Sequence, residues 1–162
     1  MAYKTKYTPK NPNKYIGTKS KITCRSLWER SFAKWCDYND RVIEWACEPF
    51  SIQYFDKARK KMRNYFPDFI IKMNNGKQYL IEIKPRAQTV PPKVRKTKRY
   101  LIEKKTYLTN RCKWQAAKKF CEDQNIIFNI FTEDDFKRLG IKIIKKLPKK
   151  YNGKKKQRRI NK

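Results

Sequence analysis

Two short apolar runs of this chain are joined by the tripeptide Asn74-Asn75-Gly76, and this arrangement predicts a β-hairpin. In a three-residue loop the glycine takes the left-handed conformation, and Asp68 then lies opposite Glu82 on the partner strand. Opposite residues have Cβ atoms about 4.5–5.5 Å apart, and the two-residue period of a strand puts Lys84 on the same face. Because two carboxylates that close repel unless a cation or a shared proton lies between them, the hairpin predicts a metal site.

A two-residue turn at Asn75-Gly76 is the competing interpretation of the same sequence. In that register Asp68 would face Ile83 and Glu82 would face Phe69, and the slip of one residue would put the two acids on opposite faces of the sheet. We favour the three-residue loop because its glycine is the last loop residue, where a type I turn followed by a bulge needs it.

The charge of the chain indicates the kind of partner it has. Its 162 residues suit one domain with tails, and 43 Lys and Arg against 14 Asp and Glu give a net charge of +29. Such an excess is best explained by a polyanionic partner, and nucleic acid is the first candidate. The sequence contains no run of about 18 apolar residues and no apolar stretch typical of a signal peptide. We therefore expect a soluble, intracellular protein.

The chain has no histidine, and its five cysteines lie far apart without a C-x-x-C pair. This composition argues against a structural zinc site. It also excludes a histidine general base and a Ser-His-Asp or Cys-His arrangement. Any catalysis must therefore use carboxylates, lysine and a hard metal ion.

Strongly basic ends flank the organised part of the chain. Residues 1–20 and residues 148–162 lack sustained apolar periodicity and predict mobile basic arms. The intervening residues 21–147 are predicted to form one domain. A basic stretch at about 86–108 predicts an insertion, as a lobe or mobile loop over the site.

The remaining patterns predict an α/β fold. The capping box Ser26-Leu27-Trp28-Glu29 begins a predicted helix at 26–38, and Thr109 or Asn110 is predicted to cap a second one. The order helix, three strands, helix, strand (αβββαβ) predicts a mixed sheet flanked by helices. Strands are predicted at 41–45, 50–54, 65–73, 77–84 and 125–131, and a last helix at 133–140.

Four motifs in one order give the chain a resemblance to a known family. They are Ser26-Leu27-Trp28-Glu29, Tyr65-Phe66-Pro67-Asp68-Phe69, Glu82-Ile83-Lys84-Pro85 and Ile127-Phe128-Asn129-Ile130-Phe131-Thr132-Glu133. Together they resemble the PD-(D/E)-x-K nuclease superfamily, and in order and spacing its TnsA-like endonuclease branch. In size, basic ends and motif order the chain is most similar to the head-completion nucleases of T-even-type bacteriophages.

The resemblance implies a restriction-endonuclease-like fold and Mg²⁺-dependent DNA cleavage, with Mn²⁺ able to substitute. It implies an endonuclease that can also act as an exonuclease on double-stranded DNA, in phage head completion and head–tail joining. Phage head or neck proteins would be its partners, in the host cytoplasm and then in the head–neck region of the virion.

Within this resemblance Asp68, Glu82 and the carbonyl of Ile83 are expected to bind the metal, because Mg²⁺ prefers hard oxygen ligands. Lys84 would orient the attacking water or stabilise the charged phosphorane, a role that suits a point charge on a flexible stem. Glu29 completes the expected catalytic set, as a ligand through water or in a second metal site. The same Glu29 is the third residue of a capping box, and capping alone would also explain it.

Basic residues around the predicted insertion are expected to bind nucleic acid. They are Lys93, Arg95, Lys96, Lys98, Arg99 and, on the second helix, Lys113. Lys113 could face phosphate or only solvent. Contacts to phosphate carry no sequence information, so we expect little sequence specificity.

Two further functions compete with the nuclease. The first is a non-catalytic DNA-binding protein of a virion neck, in which the nuclease fold is structural. The second is an RNA-binding protein of ribosomal type, which explains the charge but not the acids and lysine of the hairpin. We rank the RNA-binding function last.

Overall fold

The computed structural model describes residues 4–18 and 22–144, which form a mixed α/β fold. Short 3-10 turns at Pro12–Lys14 and Arg86–Gln88 connect some of the elements. The strands are β1 (Thr5–Lys6), β2 (Thr23–Cys24), β3 (Val42–Cys47), β4 (Ile52–Asp56), β5 (Lys61–Tyr65), β6 (Phe69–Met73), β7 (Gln78–Ile83) and β8 (Ile127–Phe131). The helices are α1 (Leu27–Tyr38), α2 (Lys98–Asp123) and α3 (Glu133–Arg138).

The main sheet has four strands in the order β3-β6-β7-β8. Strand β6 is antiparallel to both of its neighbours, β3 and β7, whereas β8 runs parallel to β7 after the crossover through α2. The predicted mixed sheet flanked by helices is confirmed. Strands β1 with β2 and β4 with β5 form two separate two-stranded sheets.

The β6–β7 hairpin has the predicted three-residue loop. Phe69 pairs with Ile81, and Met73 donates its amide hydrogen to the carbonyl of Lys77 at 2.9 Å. Gly76 has φ +79°, the left-handed conformation that the last residue of such a loop requires. The register that brings both acids to one face is therefore confirmed, and the two-residue turn is excluded.

Each face of the main sheet has its own apolar core. On one face Phe32 of α1 packs edge-on against Phe69, in a cluster that includes the fully buried Trp45. On the other face Leu80 packs with Tyr65 of β5 and with the buried residues of α2. Since side chains alternate along a strand, Glu82 lies on the same face as Leu80, towards α2.

Strand β5 was not predicted, and Tyr65 belongs to it rather than to the hairpin. The residues of β5 are exposed except for Tyr65, so the sequence of β5 has no alternating apolar pattern that would indicate a strand. Backbone pairing with β4 holds β5 in place. The predicted strand at 65–73 is thus wrong in its first part, because Pro67 separates β5 from β6 and has no amide hydrogen for a ladder.

The predicted start of the second helix is wrong. Helix α2 begins at Lys98, where the hydroxyl of Thr97 accepts a hydrogen bond from the amide of Tyr100. The first buried residue of α2 is Thr109, so the turns before it extend beyond the core and belong to the basic stretch predicted as a lobe or loop. Thr109, instead of capping the helix, donates its hydroxyl to the buried Asp56 at 3.2 Å.

The mobile arm predicted for residues 1–20 is wrong for residues 4–18, which pack on the domain. Tyr7 donates its hydroxyl to Asp37 of α1 at 2.8 Å, and both residues are buried. Tyr15 packs against Trp45 with ring centroids 4.7 Å apart. The segment is anchored by single aromatic residues and not by a repeating apolar pattern. The lack of apolar periodicity in the sequence therefore led to the wrong prediction. The basic tail predicted at 148–162 lies outside the described residues.

Candidate active site

The two acids of the hairpin meet at one end of the main sheet, where β6 begins and β7 ends. The backbone amide of Ile83 donates to Oδ2 of Asp68 at 2.7 Å, which fixes this carboxylate across the ladder. The carbonyl of Asp68 accepts a hydrogen bond from the amide of Glu48, just after β3. Asp68 is thus held from both neighbouring strands, with its side chain 16% exposed.

Glu82 is a buried carboxylate with both oxygens bonded, and its side chain is only 2% exposed. Tyr65 donates its hydroxyl to Oε2 of Glu82 at 2.6 Å, and Nζ of Lys84 lies 2.8 Å from Oε1. A buried carboxylate is stable only with such partners. Burial and the negative charge of Glu82 raise the pKa of the Tyr65 hydroxyl, so this hydroxyl stays protonated and donates.

The ammonium group of Lys84 is surrounded by the oxygens of the other predicted residues. Besides Glu82, its Nζ lies 3.2 Å from the carbonyl oxygen of Ile83 and 3.9 Å from Oδ2 of Asp68. The backbone amide of Lys84 donates to the carbonyl of Phe131 on β8 at 3.0 Å. The neighbouring parallel strand therefore helps to place this lysine.

The protonation of the cluster follows from its burial and its charges. Burial and the charge of Glu82 raise the pKa of Asp68 from 3.8 to about 8, although Lys84 opposes the shift. Burial lowers the pKa of Lys84, but the charges of Asp68 and Glu82 outweigh this effect and raise it overall. One carboxyl group of the pair thus retains a proton near neutral pH unless further positive charge is present.

These oxygens are suited to a hard cation. The carboxylates of Asp68 and Glu82 and the carbonyl of Ile83 already converge on one positive charge, the ammonium of Lys84. Mg²⁺ is commonly held by one or two carboxylates together with water and substrate phosphate, so two carboxylates suffice. Across residues 4–18 and 22–144, no group of three or more acidic or cysteine side chains is placed to hold a metal.

Glu29 lies at the start of α1 and acts as the cap that its motif indicates. Its Oε2 accepts a hydrogen bond from the amide of Arg25 at 2.6 Å, and its Oε1 accepts one from the hydroxyl of Ser26 at 2.9 Å. The negative charge of Glu29 also acts on the cluster of Asp68, Glu82 and Lys84, because it raises the pKa of Asp68 and of Lys84.

An open cleft connects Glu29 with the end of β7. Its volume is about 350 Å³. It is lined by Ser26, Trp28, Glu29, Ile83, Lys84, Pro85 and Gln88. Glu29 therefore borders the cleft next to Lys84, while both of its carboxylate oxygens accept hydrogen bonds at the N-terminus of α1.

The residues predicted to bind nucleic acid divide into two groups. Five of them are exposed and lie together before and at the start of α2; they are Lys93, Arg95, Lys96, Lys98 and Arg99. Arg99 forms an ion pair with Glu103 at 2.8 Å, one turn further along the helix. Lys113 is different, because it is half-buried on the part of α2 that packs on the sheet.

The sequence analysis missed the role of Tyr65. Its position two residues before Pro67 placed it in a motif, but nothing in the pattern connects it with Glu82. The contact depends on β5, whose exposed residues gave no strand signal. The resemblance at Tyr65-Phe66-Pro67-Asp68-Phe69 was the only available indication.

Comparison with known proteins adds two findings to this geometry. Residues 39–133 match the family described as TnsA-like endonuclease N terminal, a span that contains Asp68, Glu82 and Lys84 but not Glu29. The chain is also 42% identical over 148 residues to the head completion nuclease of Enterobacteria phage T4, in an alignment that covers 88% of this chain and 99% of that protein. Among the described residues, no helix combines the length and the apolar character needed to cross a membrane.

Proposed function

Since the chain belongs to the TnsA-like endonuclease family and is related to a phage head completion nuclease, we propose that it is a Mg²⁺-dependent DNA endonuclease that acts in phage head completion. The observation that carries this proposal is the cluster of Asp68, Glu82 and Lys84 at the end of the main sheet. The buried Glu82, the partly buried Asp68 and Lys84 provide oxygen ligands and a positive charge in one place. Phosphodiester hydrolysis needs both.

Asp68, Glu82 and the carbonyl of Ile83 are the residues that would hold the ion. When bound, Mg²⁺ would act as a Lewis acid. It would polarise the phosphate and lower the pKa of a water molecule. Tyr65 keeps one oxygen of Glu82 fixed, and the amide of Ile83 fixes one oxygen of Asp68. The protein therefore orients both carboxylates before substrate arrives, as efficient catalysis requires.

Lys84 is the residue proposed to act on the reacting groups. Its raised pKa keeps the ammonium charged at neutral pH, so it can orient the attacking water through a hydrogen bond or stabilise negative charge on the phosphate. Glu29 is the fourth member of the proposed catalytic set. It holds the N-terminus of α1 at the edge of the cleft and adds negative charge near Asp68 and Lys84.

The exposed basic residues before and at the start of α2 are proposed to bind the phosphates of double-stranded DNA. Such contacts act on any sequence, so the enzyme should cut with little sequence preference. Mapping the ends produced from a long DNA molecule would test this, and a strict consensus at the cleavage sites would contradict it.

Nicking of supercoiled plasmid tests the nuclease. We expect wild type to cut with Mg²⁺ and not with EDTA, and Asp68→Asn to be inactive because this nearly isosteric change removes a charged ligand. Asp40→Asn is the matched control, since Asp40 is an exposed acid just after α1. DNA binding without cleavage by wild type and both variants would favour a structural DNA-binding protein instead.

A separate experiment tests the role in head completion, for which we also propose an association with phage head or neck proteins. The gene would be supplied to a T4 phage that lacks its own head completion nuclease. Recovery of infectious particles with wild type but not with Asp68→Asn would support an enzyme in this step. Equal recovery with both proteins would show that cleavage is not what head completion requires.

A further inference from the structure

Lys113 reaches the candidate active site from the helical layer. It lies on the buried half of α2, and its Nζ is 5.6 Å from the centre of the Tyr65 ring. The hydroxyl of the same ring is bonded to Glu82 at 2.6 Å. One aromatic side chain therefore separates this ammonium group from the buried carboxylate. Lys113 and Glu82 also share the face of the main sheet that carries α2.

The positive charge of Lys113 has no close carboxylate among the residues described. Lys84, by contrast, lies 2.8 Å from Glu82, and the half-exposed Lys72 lies 3.5 Å from Glu44. Cations that are removed from water are normally paired with an anion. The face of an aromatic ring attracts a cation but does not neutralise it. The Tyr65 ring thus holds the ammonium in place and leaves its charge available.

The lowered pKa of Lys113 is consistent with the lack of an anion close to its ammonium group among the residues described. Burial lowers the pKa of Lys113, and the positive charges of Lys84 and Arg63 lower it further. The negative charges of Glu82 and Asp68 oppose this effect but do not outweigh it. An additional anion next to Lys113 would raise this pKa again and stabilise the ammonium form.

We infer that Lys113 is a second active-site lysine, which binds a phosphate of the DNA strand held at Asp68 and Glu82. The inference rests on the proposed nuclease function. A phosphate is the anion that such a substrate brings to this place, and lysine binds phosphate as a point charge. Lys84 and Lys113 would then contact the bound strand from two sides of Glu82, one from the sheet and one from α2.

This role differs from that of the exposed basic residues before and at the start of α2. Those residues contact DNA outside the core and contribute to affinity. Only the Tyr65 ring separates Lys113 from Glu82, so we expect Lys113 to contribute both to phosphate binding and to the rate at which bound DNA is cut. The two contributions can be measured separately.

The binding measurement uses the Asp68→Asn protein, in which the proposed cleavage is blocked. The slope of log affinity for a short duplex against log salt concentration is compared with and without the additional change Lys113→Gln. Loss of one phosphate contact should reduce the slope by about 0.9. Lys34→Gln is the control, because Lys34 lies 5.8 Å from the ring centre of Tyr38 but is exposed on α1.

The rate measurement uses otherwise wild-type protein with saturating DNA and Mg²⁺ in a single turnover. We expect Lys113→Gln to cut about a hundredfold more slowly and Lys113→Arg to recover most of the rate, because it retains the charge. Lys34→Gln should cut at the wild-type rate. Melting curves of the variants verify that each one is folded.

The outcomes separate this inference from the proposed function. A reduced slope together with a reduced rate supports it. An unchanged slope overturns it, and so does a reduced slope with an unchanged rate, which would put Lys113 on DNA away from the reacting strand. If wild type does not cut DNA at all, the proposed function fails, and the slope alone then decides whether Lys113 binds phosphate.

Discussion

Glu82 shows how the interior of this protein accommodates a carboxyl side chain. Its two oxygens have different partners, the neutral hydroxyl of Tyr65 and the ammonium of Lys84. A hydrogen bond to a charged group typically contributes about 1.5–3 kcal/mol, and loss of a partner leaves a buried group unsatisfied. Tyr65 therefore matters for the position of Glu82 and not only for packing.

Replacing Tyr65 with phenylalanine tests this positioning. The ring remains in the core while the hydrogen bond to Glu82 is lost, so we expect metal binding to weaken about tenfold. Calorimetric titration with Mn²⁺ measures it, and cleavage should then need a correspondingly higher Mg²⁺ concentration.

The control for Tyr65→Phe is Tyr54→Phe. Tyr54 is a buried tyrosine on β4, the partner strand of β5. Equal metal affinities for the two variants would mean that the hydroxyl of Tyr65 does not position Glu82.

The raised pKa of Asp68 predicts how stability depends on pH without metal. The folded protein keeps the Asp68 proton up to a pKa of about 8, whereas the unfolded chain releases it near 3.8. The stabilisation from this proton is complete below pH 3.8 and is lost as the pH rises to 8. Asp68→Asn carries no such proton and should therefore be more stable than wild type at pH 7, by about 1–3 kcal/mol.

Denaturant unfolding in EDTA at pH 4 and pH 7 measures this difference. Addition of Mg²⁺ at pH 7 should stabilise wild type more than Asp68→Asn, because only wild type retains both carboxylates. An equal pH dependence of the two proteins would contradict the assignment of the retained proton to Asp68.

At the scale of elements, the sequence predicted the helices and strands that short sequence motifs indicate. The β6–β7 hairpin follows from its turn, and α1 follows from Ser26 with Glu29, so Asp68, Glu82 and Lys84 could be brought together from sequence alone. Elements without a local signal could not be predicted.

Strand β5, which was not predicted, and the start of α2, which was predicted too late in the chain, illustrate the limit. Strand β5 is exposed and depends on pairing with β4, and the first turns of α2 are charged and continue a helix that is anchored further along. Tyr65 lies on β5, so the contacts that link Lys113 and Glu82 through its ring depend on a strand that was not predicted. For that reason their contacts became visible only in the structure.

The exposed basic residues before and at the start of α2 should contribute to DNA affinity but not to the stability of the fold. Changing Lys93, Lys96 and Lys98 together to glutamine removes three exposed charges and no buried contact. We expect the salt slope of DNA binding to fall by about 2.7 while the free energy of unfolding changes by less than about 0.5 kcal/mol.

Lys34, Lys137 and Lys142 provide the matched control, since all three are exposed and lie outside this segment. Changing them together to glutamine should leave the slope nearly unaltered. A similar loss of slope in both triple variants would mean that DNA contacts are spread over the whole surface.

At the scale of the whole molecule, a net charge of +29 makes folding and DNA binding respond to salt in opposite directions. Salt screens the repulsion among the positive charges, which favours the compact state, and it also weakens attraction to DNA. Between 50 and 500 mM NaCl we expect the melting temperature to rise while DNA affinity falls. A melting temperature that falls over this range would mean that the ion pairs of the fold outweigh the repulsion.

The parallel pairing of β8 with β7 has a consequence for the order in which this protein folds. Asp68 and Glu82 lie on one local hairpin, but the backbone of Lys84 bonds to Phe131, which follows the long crossover through α2. Because closing such a long connection is slower than forming a hairpin, the carboxylates should be in place before the lysine. Pulse-labelled hydrogen exchange during refolding would detect this as protection at Ile71 before Lys84. A newly made chain would then become able to cut DNA only after β8 has paired with β7.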